Sequence, residues 1–573
     1  MIRRARLGAL VAAAALLFVP AASQADFVIV NTDFPGEGFN DNTPAAPVGG
    51  NPGTTVGQQR LNVFVKAGQI WDAILQSPIQ IRVQAAFDTL PCSPTSGVLG
   101  SAGPNVVDSD FPGAVFPATW YNGAEANRLS GVDQDPDQDD IGAQFNEIVG
   151  TPSCLTTRSW YYGFDGNEGP NGLDLLPVLL HEFGHGLGFL TLTDESSPNN
   201  GQFFFGQPSV FDRFLMDNQT GKHWFQMTAA ERVASSINTG HLVWDGPAVT
   251  AGVPHVLGKR WRVLTTGAIA GDFTSGAGVF SPPLTVGGVT AQVVLVNDGV
   301  GTTSDGCNTP FVNAATVSGK IALMDRSATC AAANQAQNAQ ANGAIGVILI
   351  NNAAGPEPPL RGSTPTVTIP VTILSQANGT AIKTALGSGT VTATLSLDNS
   401  IPPKFAGSDN LNPNRMRMFD PNPDQPGSSV SHWDVSAFPN LLMEPAINPD
   451  LSTNVDLTFQ NFFDIGWFPQ LAGVPGKELP PTSGLAFVHG PNPTSDGGTL
   501  RFHLPAAAHV ELSLYDLAGR RVARLIDGTM DAGEHAFRWT RIDDAGRKVS
   551  AGIYRARLKT GGQERTLSVV LVD

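Results

Sequence analysis

Residues 173–190 read LDLLPVLLHEFGHGLGFL, an apolar stretch that follows the breaker GPNG at 169–172. Its apolar spacing predicts a buried α-helix over 173–190. His181 and His185 stand four residues apart within it, so their imidazoles would share one face of that helix. Two such imidazoles indicate a metal site, and the H-E-x-x-H spacing favours Zn²⁺. Glu182 lies next to the first histidine, where its carboxylate can act as general base on a zinc-activated water.

A catalytic zinc ion usually has three protein ligands, so a third ligand must come from elsewhere in the chain. His432 lies in the segment SHWD at 431–434, eleven residues before Met443 in the segment LMEP at 442–445. The other histidines between His185 and residue 477 are His223, His241 and His255.

The two motifs together resemble the leishmanolysin-like branch of the metzincin proteases. In that branch the third histidine follows a long insertion in a His-Trp context, and a Met-x-Pro turn passes under the metal. The resemblance covers roughly residues 173–189 and 410–467. It implies three zinc ligands, one general base and one Met-turn methionine, in this order: His181, His185 and His432; Glu182; Met443.

This chain does not match the last position of the short metzincin motif. Gly188 occupies the place where metzincins carry the glycine that lets the chain turn after the second ligand. The next ligand would fall at Thr191, whose hydroxyl is a poor zinc ligand. Two other interpretations stay open: His432 as a core residue beside Trp433, or Glu231 as the carboxylate ligand of a thermolysin-like site. We expect surface or packing positions for His223, His241 and His255.

The N-terminus has the pattern of a bacterial secretory signal peptide over residues 1–25. Three arginines precede an apolar stretch at 7–19, and Ser23-Gln24-Ala25 forms a small-x-small site that predicts cleavage after Ala25. An uncleaved membrane anchor is the alternative, although the apolar run is short for a bilayer. No later stretch reaches about 18 consecutive apolar residues, so we expect no transmembrane segment. The sequence therefore predicts a secreted or cell-surface protein.

Four cysteines occur in the chain: Cys92, Cys154, Cys307 and Cys330. Four cysteines allow three pairings. The sequence-local choice joins Cys92 to Cys154 and Cys307 to Cys330, and an oxidising compartment favours both disulfides. No C-x-x-C spacing occurs, so a cysteine zinc site is not expected.

Composition limits the class of protein. A length of 573 residues predicts about three or four domains. Hydrophobic residues make up 41%, while 63 glycines and 43 prolines favour β-rich domains with many turns. The net charge of −16 argues against a nucleic-acid partner, since such proteins need a cationic surface.

The chain divides by pattern into several units. Residues 26–249 read as an α+β unit, with a helix over 54–75 and strands over 27–30, 79–87, 141–149 and 160–164. Residues 250–400 are rich in Val, Ala, Gly and Thr, with strands over 292–296, 321–324 and 346–350 and a helix over 331–342. A second part of the first unit follows at 401–476, then a Pro-containing linker at 477–483. Residues 484–573 read as a small β-sandwich, with strands over 499–504, 509–515, 552–558 and 566–571.

The segment 250–400 resembles a protease-associated (PA) domain. The resemblance rests on GCN at 306–308, VSGKIAL at 317–323 and ANGAIGV at 341–347. Domains of this kind have no catalytic residues of their own. The resemblance implies a lid or substrate-selecting module beside the cleft, and a structural spacer is the alternative.

The tail resembles the FlgD-type Ig-like domain that flagellar hook-capping proteins share with the C-terminal sorting tails of secreted bacterial enzymes. GPNP at 490–493, LYDLAGRRV at 514–522 and SAGIY at 550–554 carry this resemblance. It implies contact with the cell surface or with the secretion machinery.

Together these patterns predict a multidomain α+β chain: a zincin-like metzincin catalytic domain interrupted by an α/β PA domain and followed by an Ig-like β-sandwich. The predicted function is that of a secreted zinc metalloendopeptidase that acts on proteins or peptides. The rival class is a non-catalytic surface adhesin with a structural metal, although the intact Glu182 argues against it.

The acidic run at 133–140 is a candidate Ca²⁺ site, but it lacks the glycine and terminal glutamate of an EF-hand loop, and a solvated loop is the alternative.

Overall fold

The computed structural model describes residues 27–468 and 486–571. Gaps in the first range fall at 76, 195–199, 354, 356, 359, 361–366, 410, 413, 447–450 and 452, and in the second at 491–496, 505–506, 517–519, 532, 545, 551 and 561–562. The predicted signal peptide and linker lie outside the described residues, as do parts of the tail motifs at 490–493, 514–522 and 550–554.

The first part of the chain forms a mixed sheet covered by helices. Its elements are β1 (Phe27–Asn31), α1 (Val56–Ile74), β2 (Ile81–Asp88), β3 (Gly100–Pro104), β4 (Val107–Asp108), β5 (Tyr121–Asn122), α2 (Gly123–Ser130), β6 (Ile141–Asn146), β7 (Ser159–Tyr161), β8 (Gly172–Asp174) and α3 (Leu175–Gly186). The sheet order is β1-β2-β6-β3, with β1, β2 and β6 parallel and β3 antiparallel to β6. Strand β3 is therefore an edge strand, and α3 packs against it.

The predicted helix over 54–75 is confirmed as α1, which begins after the cap residue Thr55. The Oγ1 of Thr55 accepts a hydrogen bond from the backbone N–H of Gln58 at 3.2 Å. In β2, predicted over 79–87, alternate residues from Ile81 to Phe87 are buried. The two periodicities, 3.6 and 2, therefore place one apolar face of each element in a common core.

Helix α3 is shorter than the predicted 173–190 at both ends. It begins after Asp174, whose carboxylate accepts a hydrogen bond from the N–H of Leu176 at 3.0 Å. It ends at Gly186, because the chain turns at Gly188 with φ +111°. A Cβ at that position would lie 2.5 Å from Nδ2 of Asn122, so the turn requires glycine.

The next stretch continues the same core with β9 (Leu215–Asp217), β10 (Lys222–His223), α4 (Ala229–Ser236), β11 (Leu242–Trp244) and α5 (Pro247–Val256). The fully buried Trp244 packs on Phe211, with ring centroids 4.7 Å apart. These short elements carry the chain to the start of the inserted segment.

Residues 261–397 form a closed barrel with its own core. The elements are β12 (Trp261–Gly267), β13 (Gly271–Ala277), β14 (Val289–Leu295), α6 (Ala314–Val317), β15 (Ile321–Asp325), α7 (Ala332–Ala341), β16 (Gly346–Ile350), β17 (Val371–Leu374), α8 (Gln376–Ala385) and β18 (Val391–Leu397). The strand order is β12-β13-β17-β16-β15-β14-β18, and β14 to β17 pair in parallel. The predicted strand–helix–strand unit is confirmed as β15, α7 and β16.

After the barrel the chain returns to the first core. It forms β19 (Met416–Arg417), which pairs with β11, and α9 (Asp456–Ile465), which packs on α5. One hydrophobic cluster contains buried side chains from Phe39 to Leu257 and again from Phe405 to Phe468. The segments before and after the barrel therefore share one hydrophobic core.

The tail forms two antiparallel sheets around a separate core. Its strands are β20 (Ala486–Gly490), β21 (Thr499–Leu504), β22 (Ala508–Tyr515), β23 (Arg521–Met530), β24 (Gly533–Arg538), β25 (Gly552–Thr560) and β26 (Gln563–Leu571). The sheet orders are β20-β21-β24 and β23-β22-β25-β26. The predicted small sandwich is therefore confirmed.

Both sequence-local disulfides are present. Cys92 is bonded to Cys154, and Cys307 is bonded to Cys330. Among the residues described, no helix combines the length and apolarity needed to cross a lipid bilayer.

A buried ion pair joins the two ends of the barrel. Arg260 precedes β12, Asp398 follows β18, and Nη2 of the arginine lies 2.7 Å from Oδ2 of the aspartate. Burial by itself would raise the pKa of Asp398, but hydrogen bonds from Ser400 and Arg260 outweigh it and hold that pKa at about 2. Arg260 also pairs with the more exposed Asp272 at 2.8 Å.

We expect Asp398→Asn to destabilise the barrel by about 3 kcal/mol near pH 7, because it leaves part of a buried guanidinium charge uncompensated. The pKa of Asp398 is held below its ordinary value of 3.8, so its stabilisation is present above that pH and is lost as the pH falls toward 2. Thermal unfolding of both proteins from pH 7 to pH 2 measures the difference. Asp272→Asn is the control and should cost about 1 kcal/mol or less. An Asp398→Asn difference that stays constant down to pH 2 would contradict this role.

Candidate metal centre

Three imidazole nitrogens meet at one point in the first core. Nε2 of His181 lies 3.1 Å from Nε2 of His185 and 3.2 Å from Nε2 of His432, and the latter two are also 3.2 Å apart. A position about 2.0 Å from all three nitrogens lies just off their common plane, and this is the usual zinc–nitrogen distance in proteins. The three side chains thus form one face of a tetrahedral site.

The opposite nitrogen of each ring determines its protonation. Nδ1 of His181 lies 2.7 Å from the carbonyl oxygen of Leu442. Nδ1 of His185 lies 2.8 Å from the carbonyl oxygen of Phe189, and Nδ1 of His432 lies 2.7 Å from that of Ser428. A carbonyl oxygen only accepts, so each Nδ1 carries the proton and each Nε2 presents a lone pair. Three lone pairs aimed at one point repel one another unless a cation lies between them. The donor set therefore fits a zinc ion.

The surroundings keep these rings neutral. Burial lowers the pKa of His181 to about 4, although its hydrogen bond to the carbonyl of Leu442 acts in the opposite direction. Burial and the neighbouring His181 lower the pKa of His185 to about 3. Burial and the other two rings hold the pKa of His432 well below its usual range. The neutral imidazole is the form that binds a metal, so the site is prepared for one.

The end of α3 orients the second histidine. After the turn at Gly188 the carbonyl of Phe189 comes back to face His185. Nε1 of Trp467 and Nδ2 of Asn122 both donate to the carbonyl oxygen of Leu187, at 2.7 and 3.1 Å. These two donors satisfy a carbonyl at the helix end that has no partner within the helix.

His432 reaches the site through the segment that returns after the barrel. The N–H of Phe419 donates to the carbonyl oxygen of His432 at 2.9 Å, and the N–H of Trp433 donates to that of Met443 at 2.8 Å. The fully buried Trp433 packs on Phe189, with ring centroids 4.8 Å apart. The backbone of His432 and the neighbouring indole ring of Trp433 are thus fixed by contacts with the core.

Met443 lies beneath α3, between the two helical histidines. It is fully buried, and a Cβ placed on Gly184 would lie 2.7 Å from its sulfur. Only glycine at position 184 allows this close approach. The preceding residue, Leu442, supplies the carbonyl oxygen for His181, and its N–H donates to Asp456 at 2.5 Å.

Glu182 lies where the site opens to solvent. Its side chain and that of His185 are half-buried, whereas His181 and His432 are buried. Burial raises the pKa of Glu182 to about 8, and a hydrogen bond from the backbone of Ala102 opposes that rise. Ala102 belongs to the edge strand β3, so the carboxyl group lies next to that strand.

The other sequence candidates lie outside this centre. Oγ1 of Thr191 donates to Asp212 at 2.5 Å. Glu231 caps α4, accepts from the backbone of Thr228, and pairs with Lys222 at 2.5 Å, so it does not complete a thermolysin-like site. The remaining histidines have local partners or are exposed: His223 bonds to Asp245, His241 bonds to Asn218, and His255 is exposed.

The predicted calcium run is held by protein groups. Asp139 pairs with Arg82 at 2.7 Å, and Asp140 accepts from the N–H of Arg82 and from Nδ2 of Asn127, both at 2.8 Å. Within the part of the chain that the structure describes, the three histidines are the group of three or more candidate ligands that comes together. The acidic run makes no comparable cluster there.

The residues that orient the histidines could not be identified from the sequence. Leu442, Phe189 and Ser428 act through their backbone carbonyl oxygens, so their side chains carry no signal of this role. Ala102 likewise contacts Glu182 through its backbone.

One cavity lies away from the histidines, between the barrel and the first core. Its volume is about 600 Å³, and its charged lining includes Arg260, Asp272, Glu357, Lys404 and Arg417. None of the three histidines lines this cavity. The barrel thus faces the first core across a charged space rather than covering the metal centre with this surface.

Two stretches of the chain match known domain families. Residues 289–382 match the PA domain, and residues 492–564 match the FlgD Ig-like domain. Both resemblances drawn from the sequence are therefore confirmed. No curated protein matches the chain at a significant level.

Several solved structures are similar to parts of this chain. An aminopeptidase from Aneurinibacillus sp. strain AM-1 is 24% identical over 24% of this chain and 30% of its own, with a TM-score of 0.19. BSAP, a zinc aminopeptidase from Bacillus subtilis, is 22% identical over 33% of this chain and 42% of its own, with a TM-score of 0.19. FlgD from P. aeruginosa is 28% identical over 13% of this chain and 58% of its own, with a TM-score of 0.11. The chain thus spans less than half the length of either aminopeptidase.

We expect His432→Ala to weaken zinc binding by more than about 100-fold, because it removes one of three converging ligands. Zinc at about a thousand times its Kd should stabilise the wild-type protein by about 4 kcal/mol, and at the same zinc concentration this gain should fall to about 1.4 kcal/mol or less in the variant. Calorimetric titration of the metal-free chain and thermal unfolding with and without zinc measure both effects. His255→Ala, at an exposed histidine, should bind zinc like the wild type. Equal zinc affinity in His432→Ala and His255→Ala would exclude His432 as a ligand.

Proposed function

We propose that the chain is a secreted zinc-dependent metalloendopeptidase with a leishmanolysin-like metzincin catalytic domain. That domain comprises residues 26–249 and 401–476, and the PA domain at 250–400 interrupts it. The observation that carries the proposal is the convergence of three neutral Nε2 atoms within 3.2 Å of one another, beside a half-buried glutamate.

Each residue of the site would have a separate role in peptide hydrolysis. His181, His185 and His432 would hold the zinc ion, and Met443 would form the turn beneath it. When bound, zinc supplies Lewis-acid chemistry for hydrolysis of a peptide bond. Glu182 takes a proton from the attacking water and passes it to the leaving amine.

The position of Glu182 suits both proton transfers. The side chain lies at the solvent-facing side of the site, so water and a substrate carbonyl can reach it. The backbone of Ala102 donates a hydrogen bond to the carboxyl group and restricts its orientation. Burial raises the pKa of Glu182, and a zinc ion beside it would act in the opposite direction and favour the carboxylate that accepts the proton of the water.

The edge strand β3 offers a place for the substrate. One side of β3 pairs with β6, and its other side is the free edge of the sheet. An extended peptide can add main-chain hydrogen bonds there, which bind a backbone without selecting its sequence. Because Glu182 contacts Ala102 in this strand, the scissile bond would lie next to that residue.

The site geometry favours an enzyme over a surface adhesin with a structural metal. Structural zinc sites are closed by four protein ligands, whereas catalytic sites keep one position open. Three histidines converge here among the described residues, and the half-buried Glu182 directly follows the first of them. A purely structural site would have no use for a carboxyl group in that position.

The remaining parts of the chain would place the enzyme outside the cell. The signal peptide at 1–25 would direct export, and the two disulfides suit an oxidising compartment. The Ig-like domain would contact the cell surface or the secretion machinery.

We expect Glu182→Ala to lower the kcat for casein cleavage by about 10³-fold or more, because it removes the general base. The variant should still bind one zinc ion per chain, since all three histidines remain. Cleavage of labelled casein, with and without a zinc chelator, and metal analysis of the purified chain measure both results. Glu231→Gln, which changes an exposed glutamate away from the site, is the matched control and should cleave casein normally. Undiminished cleavage by Glu182→Ala would refute the mechanism, and chelator-insensitive cleavage would refute the zinc dependence.

A further inference from the structure

The half-buried Trp120 and the exposed Phe204 and Phe205 contact one another in series, and we call these three side chains the aromatic platform. Phe204 is 41% exposed and Phe205 is 81% exposed. The ring centroids of Trp120 and Phe204 are 6.0 Å apart, and those of Phe204 and Phe205 are 4.6 Å apart. Large apolar side chains grouped on a surface in this way mark sites of interaction.

The backbone holds this platform in place. Phe205 has φ +44° and ψ 33°, a left-handed conformation that is costly for an aromatic residue. Nε1 of Trp120 donates to the carbonyl oxygen of Phe204 at 2.8 Å, and the N–H of Trp120 donates to that of Pro208 at 2.9 Å. The neighbouring hydrogen bonds thus maintain a strained residue whose ring contacts little of the protein. Strain of this kind concentrates at functional sites.

A small pocket, lined mostly by apolar side chains, lies between Trp120 of the platform and the residues that follow α3. Trp120 lines the pocket together with Pro104 of β3 and with Gly188, Leu190 and Leu192, which follow α3. Gly188 and Leu190 flank Phe189, whose carbonyl oxygen accepts from His185. The pocket therefore lies between Trp120 and the segment whose carbonyl oxygen orients His185.

The spacing along β3 relates the platform to a bound peptide. Ala102 contacts Glu182, and Pro104 lines the pocket two residues further along the strand. A strand advances by about 3.3 Å per residue, so two residues span about 7 Å. A peptide that follows β3 with its scissile bond beside Ala102 would bring a side chain two residues away to the pocket. The next side chains on the same side of the bond would reach the platform.

We propose that the aromatic platform is a specificity surface for substrate peptides that carry aromatic or large aliphatic side chains. These side chains would lie two to four residues from the scissile bond, on the side that faces Pro104. The proposal rests on the proposed peptidase function and adds to it the class of substrate. Main-chain pairing with β3 is indifferent to sequence, so the rings of Trp120, Phe204 and Phe205 would supply the selectivity.

The test compares peptides and variants in pairs. One peptide carries phenylalanine at the third and fourth positions from the scissile bond on the proposed side, and its partner carries serine there. Phe205→Ala removes the ring, Phe205→Gly removes the ring and relieves the positive φ, and Phe205→Tyr keeps a ring. Phe34→Ala is the matched control, because Phe34 is 75% exposed and follows β1, at the opposite edge of the sheet.

Two readouts separate this proposal from the peptidase proposal. The first is kcat/KM for each peptide with the full-length zinc-loaded chain. The second is the Kd of each fluorescent peptide, by anisotropy, in a Glu182→Ala background that binds without turnover. We expect Phe205→Ala and Phe205→Gly to lower kcat/KM for the phenylalanine peptide and to weaken its binding, each by about tenfold. The serine peptide should be unaffected, and Phe205→Tyr and Phe34→Ala should resemble the parent protein.

Any other result would overturn either the specificity surface or the peptidase proposal. Cleavage with equal loss for both peptides, or with no loss, would overturn the specificity surface and leave the peptidase intact. Selective peptide binding that depends on Phe205 without any cleavage would overturn the peptidase and keep the surface. Sedimentation with phosphatidylcholine vesicles that depends on Phe205, together with peptide binding that does not, would assign the platform to a lipid surface and overturn its role in substrate selection.

Discussion

The organisation of the first core depends on holding three imidazole lone pairs against their mutual repulsion. Each ring donates its Nδ1 proton to a backbone carbonyl, so each Nε2 atom is left as an acceptor facing two others at 3.1–3.2 Å. Without a cation this arrangement costs electrostatic energy. The surrounding fold must supply that energy through packing, and a bound divalent ion would convert the repulsion into attraction.

The packing that opposes this repulsion comes from distant parts of the chain. Helix α3 is buried among apolar side chains, and Met443 packs against it at Gly184, where the absence of a side chain makes room. Trp433 places an indole ring against Phe189 directly beside the third histidine. Large aromatic side chains bury much apolar area with few rotatable bonds, so they position neighbouring groups at a low cost in entropy.

A whole barrel is inserted between the second and third histidines. The first core can accommodate this insertion because the barrel has a hydrophobic core of its own. The ion pair of Arg260 and Asp398 joins the two ends of the barrel. The insertion therefore leaves and re-enters the main domain at neighbouring points, as a closed loop does. The barrel interior is filled by side chains from its own strands. The same independence holds for the tail, whose two sheets enclose a separate cluster.

Local pattern in the sequence determined the elements whose stabilising contacts are themselves local. The α1 helix with its Thr55 cap, the alternating strand β2 and the H-E-x-x-H pair on one helix face all follow from neighbours along the chain. Only the tertiary structure decided that α3 stops at Gly186, that β3 is an edge strand beside Glu182, and that Trp120 and Phe204 meet across 84 positions. His432 reaches His181 across 251 positions, and the partners that orient both rings are backbone carbonyl oxygens. Every residue type has such an oxygen, so this part of the site leaves no trace in side-chain identity.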